Sequence, residues 1–382
     1  MSELDDVRRT MHRELNAPGK RPDATTRITR RTFLRRSIVG GTAVGAAAYG
    51  WFPLINTIDV ASAAVSEPFR FAWISDTHLY PADVNTRFVD KTKRAIEEVQ
   101  AMSPPVDFMI FGGDLAQRGD PVELELGKQL LKELKVEQLF IPGEHDWYLD
   151  LGKKWEKDFG KSPWKKDHKG VRLIGLNTVG QAPDYWSVKK MSPKERMAHM
   201  EVLDGTVAGP WSGLGPKQLQ WLQKAVSDWP KGDPMILFTH NPLYEYYPPW
   251  NFWVRDWREV HEILDGYTNV TNIHGHVHQV LYNEIGSMRS IGMLATSWPW
   301  PYAPEGVPAL TKPMLRVDPG DHFDGVGWSL IGMDTNGKAA NTYKMWRKAE
   351  HIFAEATADS GTGDNDNQIL SRRIADKMWP YK

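Results

Sequence analysis

A run of apolar residues that ends on a carboxylate and an imidazole decides the fold: Phe69-Arg70-Phe71-Ala72-Trp73-Ile74-Ser75-Asp76-Thr77-His78. Its first part is typical of a buried β-strand, and the polar residues follow where that strand ends. The same arrangement recurs four times along the chain. The four segments are Gly113-Asp114, Gly143-Glu144-His145-Asp146, Phe238-Thr239-His240-Asn241-Pro242 and Gly275-His276-Val277-His278.

These segments offer three carboxylates and four imidazoles that can converge on one point, with a fifth imidazole, His145, beside them. Mixed oxygen and nitrogen ligands suit Mn, Fe or Zn, and the number of ligands is enough for two divalent ions sharing a carboxylate. Any one of these histidines alone would more commonly have a structural role, but their joint occurrence favours a metal centre. The candidate ligands are Asp76, His78, Asp114, Glu144, His240, His276 and His278.

Strands and helices alternate along the first two thirds of the chain, and shorter strands follow. The pattern predicts strands over Phe69–Ser75, Asp107–Gly112, Gln138–Pro142, Val171–Asn177, Met235–Thr239 and Val270–His274. It predicts helices over Arg87–Met102, Pro121–Leu134, Pro216–Asp228 and Arg255–Leu264. From Val280 to Lys344 the pattern changes to short alternating strands. This order indicates an α/β fold with two packed sheets and outer helices, and every polar segment lies beyond the carboxyl end of a strand, where such sheets hold their ligands.

The order and spacing of the five segments resemble the calcineurin-like metallophosphoesterase family, whose pattern is D-x-H, G-D, G-N-H-[DE], H, G-H-x-H. The resemblance runs from about Phe69 to about Trp346 and departs at Glu144, where the family has Asn. It implies a four-layer α/β/β/α fold, with two packed mixed sheets flanked by helices.

Two stretches resemble the cyclic-nucleotide phosphodiesterase-like (Icc-type) branch of this family. One is the G-D-L-x-x-x-G pattern at Gly113–Gly119, and the other is the helix-forming stretch Gly213–Leu222. Purple acid phosphatases place an iron-binding Tyr three residues after the G-D aspartate. Gln117 stands there in this chain, which argues against that branch.

By resemblance, one metal ion takes Asp76, His78, Asp114 and His278, and the other takes Asp114, Glu144, His240 and His276. The shared Asp114 would bridge the two ions. A hydroxide held between them would attack a phosphoester. His145 would donate a proton to the leaving group, and Asp146 would orient the His145 ring and favour its charged form.

Glu144 adds a negative charge beside an anionic substrate and reaches one methylene further than Asn. Three carboxylates around two divalent ions lower their Lewis acidity and repel a dianionic monoester more than a monoanionic diester. The substitution therefore favours a phosphodiester over a phosphomonoester, or else a slow or altered enzyme. Cyclic nucleotides, nucleotide-like diesters and phospholipid head groups are the candidate substrates. The alternative is a non-catalytic, metal-bound scaffold or ligand sensor that Glu144 has silenced.

Residues 1–63 are interpreted as a twin-arginine signal peptide with a flexible n-region. Thr29-Arg30-Arg31-Thr32-Phe33-Leu34-Arg35 resembles the twin-arginine consensus. A weakly apolar run, Ile38–Phe52, and the small residues Ala61-Ser62-Ala63 follow, so we expect a periplasmic or extracytoplasmic protein that meets the twin-arginine translocation machinery. Two alternatives stay open: a basic start of a buried helix, and an uncleaved membrane anchor, for which the apolar run is short against a span of about 20 residues.

The composition limits the partners. The chain has 382 residues, no cysteine and a formal net charge of −1. Residues 64–382 alone carry a net charge of −5, because the basic excess lies in the N-terminal segment. We therefore expect a small-molecule phosphoester and no nucleic acid as partner. Without cysteine there is no disulfide and no thiolate ligand.

The catalytic domain is predicted over residues 64–354, with insertions at about 178–212 and 243–258 and a polar, disordered tail over 355–382. Aromatic residues crowd the second insertion and the segment after the fifth motif, among 17 Trp in the chain. They predict either a second hydrophobic core or an aromatic wall over the metals. The residues are Trp147, Tyr148, Tyr244, Tyr246, Tyr247, Trp250, Phe252, Trp253, Trp257, Trp298, Trp300 and Tyr302.

Overall fold

The computed structural model describes residues 65–147, 149–179, 192–193, 212–246, 252–298, 326–346 and 378–380. Most of the first predicted insertion, residues 247–251 of the second, the N-terminal segment and most of the tail lie outside these residues. Met378–Pro380, within the segment predicted to be disordered, form a short strand at the edge of a sheet. Among the described residues, no helix is both long and apolar enough to cross a membrane.

Two six-stranded sheets form the body of the protein. The first sheet has the order β12-β11-β10-β1-β2-β3, with β1, β2 and β3 parallel and the other neighbours antiparallel. Its strands are β1 (Phe69–Ile74), β2 (Phe108–Phe111), β3 (Glu137–Phe140), β10 (Val326–Met333), β11 (Ala339–Trp346) and β12 (Met378–Pro380).

The second sheet has the order β4-β5-β6-β7-β9-β8, with four parallel strands in the middle and one antiparallel strand at each edge. Its strands are β4 (Trp164–His168), β5 (Val171–Gly175), β6 (Met235–Thr239), β7 (Val270–His274), β8 (Leu281–Ile285) and β9 (Met288–Gly292). The described helices are α1 (Thr86–Gln100), α2 (Pro121–Leu131), α3 (Glu144–Trp147), α4 (Lys153–Phe159), α5 (Gly215–Val226) and α6 (Trp257–Ile263).

The side chains of β1 show how the layers form. Phe71 and Trp73 point into the core between the sheets, where Phe238 of the second sheet meets both rings. Ala72 and Ile74 point the other way, into the core beneath the helices, because successive side chains of a strand face opposite sides. Burying one such aromatic ring contributes about 1.5–3 kcal/mol. The predicted α/β class with two mixed sheets and flanking helices is confirmed.

The predicted strands lie within about two residues of the observed ones, and two of them, Met235–Thr239 and Val270–His274, have the predicted bounds. Helix α2 begins where it was predicted because Pro121 occupies its first turn and Asp120 and Glu123 form a capping box. The sequence did not predict α3, α4, β4 or β12.

Candidate metal centre

The carboxyl ends of five parallel strands bring the polar segments to one place. The first sheet supplies Asp76 and His78 after β1, Asp114 after β2, and Glu144 after β3. The second sheet supplies one histidine after β6 and two after β7. All seven candidate ligands are buried, with at most 6% of their surface exposed. The ligands from the second sheet are His240, His276 and His278.

The backbone bends sharply at these positions. Five of the candidate ligands lie in the left-handed region, where residues other than glycine are uncommon. The amide of Asp76 donates to the carbonyl of Gly113 at 2.9 Å, and that of His78 donates to the carbonyl of Asp114 at 3.0 Å. Such strain persists where the surroundings fix it, and it clusters at functional sites. The φ angles are Asp76 54°, His78 44°, Asp114 53°, His276 64° and His278 51°.

Three motif glycines allow the ligands to approach the backbone. A Cβ on Gly113 would lie 2.5 Å from Nδ1 of His240, and one on Gly275 would lie 2.6 Å from Oδ2 of Asp76. A Cβ on Gly143 would overlap the carboxylate of Asp114. Glycine is therefore required by close packing at each of these turns, and at Gly113 also by its φ of 100°.

The ligand atoms fall into two groups. In the first, Nε2 of His278 lies 3.1 Å from Oδ1 of Asp76 and 3.2 Å from Nε2 of His78. In the second, the Glu144 carboxylate lies between two imidazoles, with Oε1 2.7 Å from Nδ1 of His276 and Oε2 3.0 Å from Nε2 of His240. Each group can hold a metal ion.

Asp114 connects the two groups. Its Oδ2 lies 3.1 Å from Nε2 of His240 in the second group and 3.7 Å from Nε2 of His78 in the first. Its Oδ1 accepts a hydrogen bond from the backbone amide of His145 at 3.0 Å, which fixes the plane of the carboxylate. One carboxylate therefore faces ligands of both groups, as the resemblance implies.

The donor set fits metal ions. Nδ1 of His240 must carry the hydrogen, because it donates to the carbonyl of Gly112 at 2.7 Å. Its Nε2 faces Asp114 and Glu144 and is the ring atom that would bind a metal ion after losing its proton. This Nε2 and Oε2 of Glu144 are buried and make no hydrogen bond, although they lie close together. Metal coordination would satisfy both atoms.

The charges in the site depend on one another. Burial alone would raise the pKa of Glu144, but the charges of His276 and His240 hold it well below its usual range. Burial opposes the charged form of His240, yet Asp114 and Glu144 raise its pKa well above the usual value. Burial lowers the pKa of His78. Glu144 is thus ionised and lies between two imidazoles, in the place where a ligand is expected.

His145 lines the pocket, and the centroid of its ring lies 4.8 Å from that of the His78 ring, edge to face. Nδ1 of His145 lies 2.6 Å from the carbonyl of Gln117, and since a carbonyl only accepts, Nδ1 carries the hydrogen. Nε2 is left as the ring atom that can exchange a proton with a substrate. The sequence did not single out this backbone carbonyl.

The predicted role of Asp146 is wrong. Oδ1 of Asp146 accepts from the amides of Leu115 and Ala116 at 2.9 and 3.0 Å, and Oδ2 accepts from the amide of Gly143 at 3.0 Å. The carboxyl thus ties two loops together and leaves the orientation of His145 to Gln117. Burial and the neighbouring Asp114 raise the pKa of Asp146 to about 8.

The aromatic residues divide between the two predicted roles. Tyr244 and Tyr246 pack in a buried cluster that also contains Phe252, and Trp147 packs beneath the helices. Phe252 and Trp298 line the pocket of the candidate ligands, so Phe252 serves both predicted roles. Five of the predicted aromatics lie outside the described residues: Tyr148, Tyr247, Trp250, Trp300 and Tyr302.

His274, the residue before the fifth motif, is fully buried and faces away from the ligand groups. Its Nε2 lies 3.5 Å from the hydroxyl of Tyr244, which accepts a hydrogen bond from Asn283 at 3.0 Å. Burial lowers the pKa of His274 to about 3, so the ring is neutral. It supports the turn that carries His276 and is not part of either ligand group.

Comparison with known proteins agrees with this site. The chain is 25% identical over 228 residues to a probable glycerophosphodiester phosphodiesterase, GpdQ, of Arcobacter nitrofigilis, covering 56% of this chain and 74% of that protein. It is 24% identical over 223 residues to the 3',5'-cyclic adenosine monophosphate phosphodiesterase CpdA of Escherichia coli K12, covering 56% and 70%.

Among solved structures, the GAP50 anchor of the inner membrane complex of Plasmodium has a TM-score of 0.51 and 13% identity, covering 75% of this chain and 87% of that one. At that identity the likeness concerns the fold alone. The family model of the calcineurin-like phosphoesterases matches residues 69–280, more than half of the chain. With the strand-end motifs and both ligand groups inside that range, the chain belongs to the calcineurin-like phosphoesterase family.

Proposed function

We propose that this protein is a metal-dependent phosphodiesterase that uses two divalent ions, of Mn, Fe or Zn, to hydrolyse a small-molecule phosphodiester. The observation that carries the proposal is the pair of buried ligand groups, with Asp114 of the second group lying 3.7 Å from His78 of the first. The phosphodiesterase names of the two curated relatives support the same reaction class.

Asp76, His78 and His278 with Asp114 would hold one ion, and Glu144, His240 and His276 with Asp114 would hold the other. Bound ions of this kind supply Lewis acidity, which activates water and neutralises phosphate charge. The protein supplies the rest. Its strained turns fix the ligands before any substrate arrives. His145, held through Nδ1 by the Gln117 carbonyl, presents Nε2 to protonate the leaving oxygen.

The charge of the site favours diesters. Its three carboxylates are all buried, and the pKa values of Asp76, Asp114 and Glu144 are lowered despite that burial, so all three are ionised. With two divalent ions they leave a net charge of about +1 on the centre, against +2 with the neutral Asn of the family pattern. A monoanionic diester loses less from this reduction than a dianionic monoester.

The test is metal analysis together with hydrolysis. Purified protein is loaded with Mn and assayed on bis(p-nitrophenyl) phosphate and on p-nitrophenyl phosphate, and its metal content is measured by elemental analysis. We expect two ions per chain and faster hydrolysis of the diester. Active protein that holds one ion or none would contradict the dinuclear proposal, and a preference for the monoester would contradict the substrate class.

A second candidate is favoured by Glu144 itself: a metal-bound scaffold or ligand sensor without turnover. The same fold occurs in a protein described as an anchor, and fold alone does not imply function. The discriminating variant is Glu144→Asn. If the carboxylate suppresses turnover, removing its charge should raise activity by roughly ten- to several-hundred-fold, since about 1–4 kcal/mol is involved. If metal and activity fall together, Glu144 is a required ligand and the scaffold is excluded.

We also infer that the protein is exported folded by the twin-arginine route to the periplasm or another extracytoplasmic location. The support is the Arg30-Arg31 stretch followed by Ala61-Ser62-Ala63, which lie outside the described residues. Arg30→Lys combined with Arg31→Lys should leave the protein uncleaved in the cytoplasm. Normal export of the double variant would contradict the inference, and an intact N-terminus on membrane-bound wild type would favour the anchor.

A further inference from the structure

Trp298 is half-buried and lies beside two candidate metal ligands. Its ring meets that of His78 edge to face at a centroid distance of 5.0 Å and lies 6.4 Å from the ring of His278. It also lines the pocket that contains both ligand groups and His145. The indole therefore flanks the first ligand group, on a surface that a bound substrate would meet.

Ser297, the residue before Trp298, is held by three hydrogen bonds. The amide of Ser297 donates to the carbonyl of Asp76 at 3.3 Å, and its hydroxyl donates to the carbonyl of Phe88 at 3.3 Å. Its own carbonyl accepts from Nζ of Lys91 at 2.7 Å. Ser297 is thus connected both to a candidate metal ligand and to helix α1.

Lys91 is the most unexpected member of this arrangement. Only 3% of its surface is exposed, although lysine is among the residues least often buried. Its ammonium lies over the ring of Phe88, 5.4 Å from the centroid, and the same ring lies 6.3 Å from that of Trp298. Burying an ammonium is costly unless its hydrogen-bonding groups are used. Here the ammonium joins α1 to the backbone that carries Trp298.

The second ligand group has an aromatic neighbour of its own. Phe252 meets the ring of His276 edge to face at 4.5 Å and lines the same pocket. Each ligand group therefore has one aromatic ring beside it. Trp298 is the larger of the two rings, and the hydrogen bond from Lys91 to the carbonyl of Ser297 helps to fix its backbone.

We propose that Trp298 determines substrate specificity by receiving a planar organic group of the phosphoester on the His78 side, and that Lys91 is the positioning residue that holds it there. The proposal rests on the proposed function and deepens it by naming the substrate class: phosphoesters with an aryl or other flat substituent. Aromatic pairs contribute about 0.5–1.5 kcal/mol beyond their buried area, so the preference for a flat group is about two- to tenfold.

The test measures binding, so that it is independent of turnover. Mn-loaded protein is titrated calorimetrically with the monomethyl esters of phenylphosphonate and of cyclohexylphosphonate, which are both monoanionic like a diester and differ in whether the six-membered ring is flat. Wild type should prefer the phenyl compound, and Trp298→Ala should lose this preference by about two- to tenfold while keeping its metal content. Equal affinity of wild type for both compounds would overturn the proposal, even if the protein proves to be a phosphodiesterase.

The role of Lys91 is tested by the same ratio, the affinity for the phenyl compound divided by the affinity for the other compound. Lys91→Met keeps the apolar stem and removes the ammonium, so it should lower the phenyl preference, and Lys91→Arg should restore part of it. Ser297→Ala, which removes only the bond to the Phe88 carbonyl, is the milder variant if Lys91→Met does not fold.

The control is Trp257→Phe in α6, which does not line the pocket and should retain the ratio. If Trp298→Ala lowers the metal content and weakens the binding of both phosphonate compounds equally, the indole only shields His78 and the proposal fails.

Discussion

Two sides of one pocket are built in different ways. The ligand side consists of short turns at strand ends, where Asp76, His78 and Asp114 lie in strained backbone conformations. The aromatic side consists of Phe252 and Trp298, which come from connections between elements and meet the ligand rings edge to face. The comparison indicates that the metal chemistry depends on the sheets, whereas the choice of substrate depends on the connections.

The largest effect should follow from a change at the residue that the two ligand groups share. Asp114→Asn replaces a bridging carboxylate with a neutral amide, so at least one ion and nearly all activity should be lost. A metal ion contributes several kcal/mol of transition-state stabilisation, and about 4 kcal/mol corresponds to about a thousandfold in rate. Elemental analysis measures the metal content, and kcat on bis(p-nitrophenyl) phosphate measures the activity. A variant that retains two ions and wild-type rates would show that Asp114 does not connect the groups.

The variant His145→Ala tests whether proton transfer can be separated from metal binding. His145→Ala should lower the rate by about a hundredfold for alkyl esters, at the lower end of the range for general acid–base catalysis, because their leaving group must be protonated. It should largely spare p-nitrophenyl esters, whose leaving group is a weak base. Metal content should not change, because the backbone amide of residue 145 still binds Asp114. A uniform loss on both kinds of ester would assign His145 to metal binding instead.

The dependence of the ligand side on its backbone is tested without changing any ligand. Gly143→Ala adds a Cβ that overlaps the Asp114 carboxylate, so the affinity for the second ion should fall and activity should drop by about tenfold or more. Gly232→Ala is the matched control, because a Cβ there meets nothing within 4 Å. Metal titration of both variants gives the comparison. Equal metal affinity in the two would mean that the turn at Gly143 adapts easily.

The sequence predicted the ligand side well for a physical reason. Buried parallel strands are continuous apolar runs, and the residues that follow them meet at one edge of a sheet. Knowing the strands was therefore enough to bring Asp76 close to Asp114 and His240 close to His276, whereas the meeting of the two sets depends on the packing of two sheets, which the family resemblance implied. The aromatic side could not be predicted in this way, because Phe252 and Trp298 follow no period. Their places depend on long-range contacts, such as the bond between Lys91 and Ser297.

Of the four elements that were missed, β4, α3 and α4 carry weak signals, and β12 lies in a tail whose polar composition predicted disorder. Strand β4 lies at a sheet edge and alternates half-buried with exposed residues, three of them charged at its centre, Lys165, Lys166 and Asp167. Helix α3 has only four residues and α4 only seven. The misassigned Asp146 has another cause. Neighbours in a helical turn point in directions about 100° apart, so adjacency to His145 did not bring the two side chains together.

The smallest effect on catalysis, and a clear one on stability, is expected at Asp146. Asp146→Ala removes the acceptor of three buried amides and should lower the free energy of unfolding by about 2–4 kcal/mol, at about 1–3 kcal/mol for each unsatisfied group with incomplete additivity. Asp146→Asn should lose less, because its amide oxygen can still accept from Leu115 and Ala116. Since Gln117 holds His145, both variants should keep the wild-type pH profile of kcat below their melting temperatures. Thermal unfolding and pH–rate profiles measure the two effects, and a displaced profile in Asp146→Asn would show that this carboxyl governs the protonation of His145 after all.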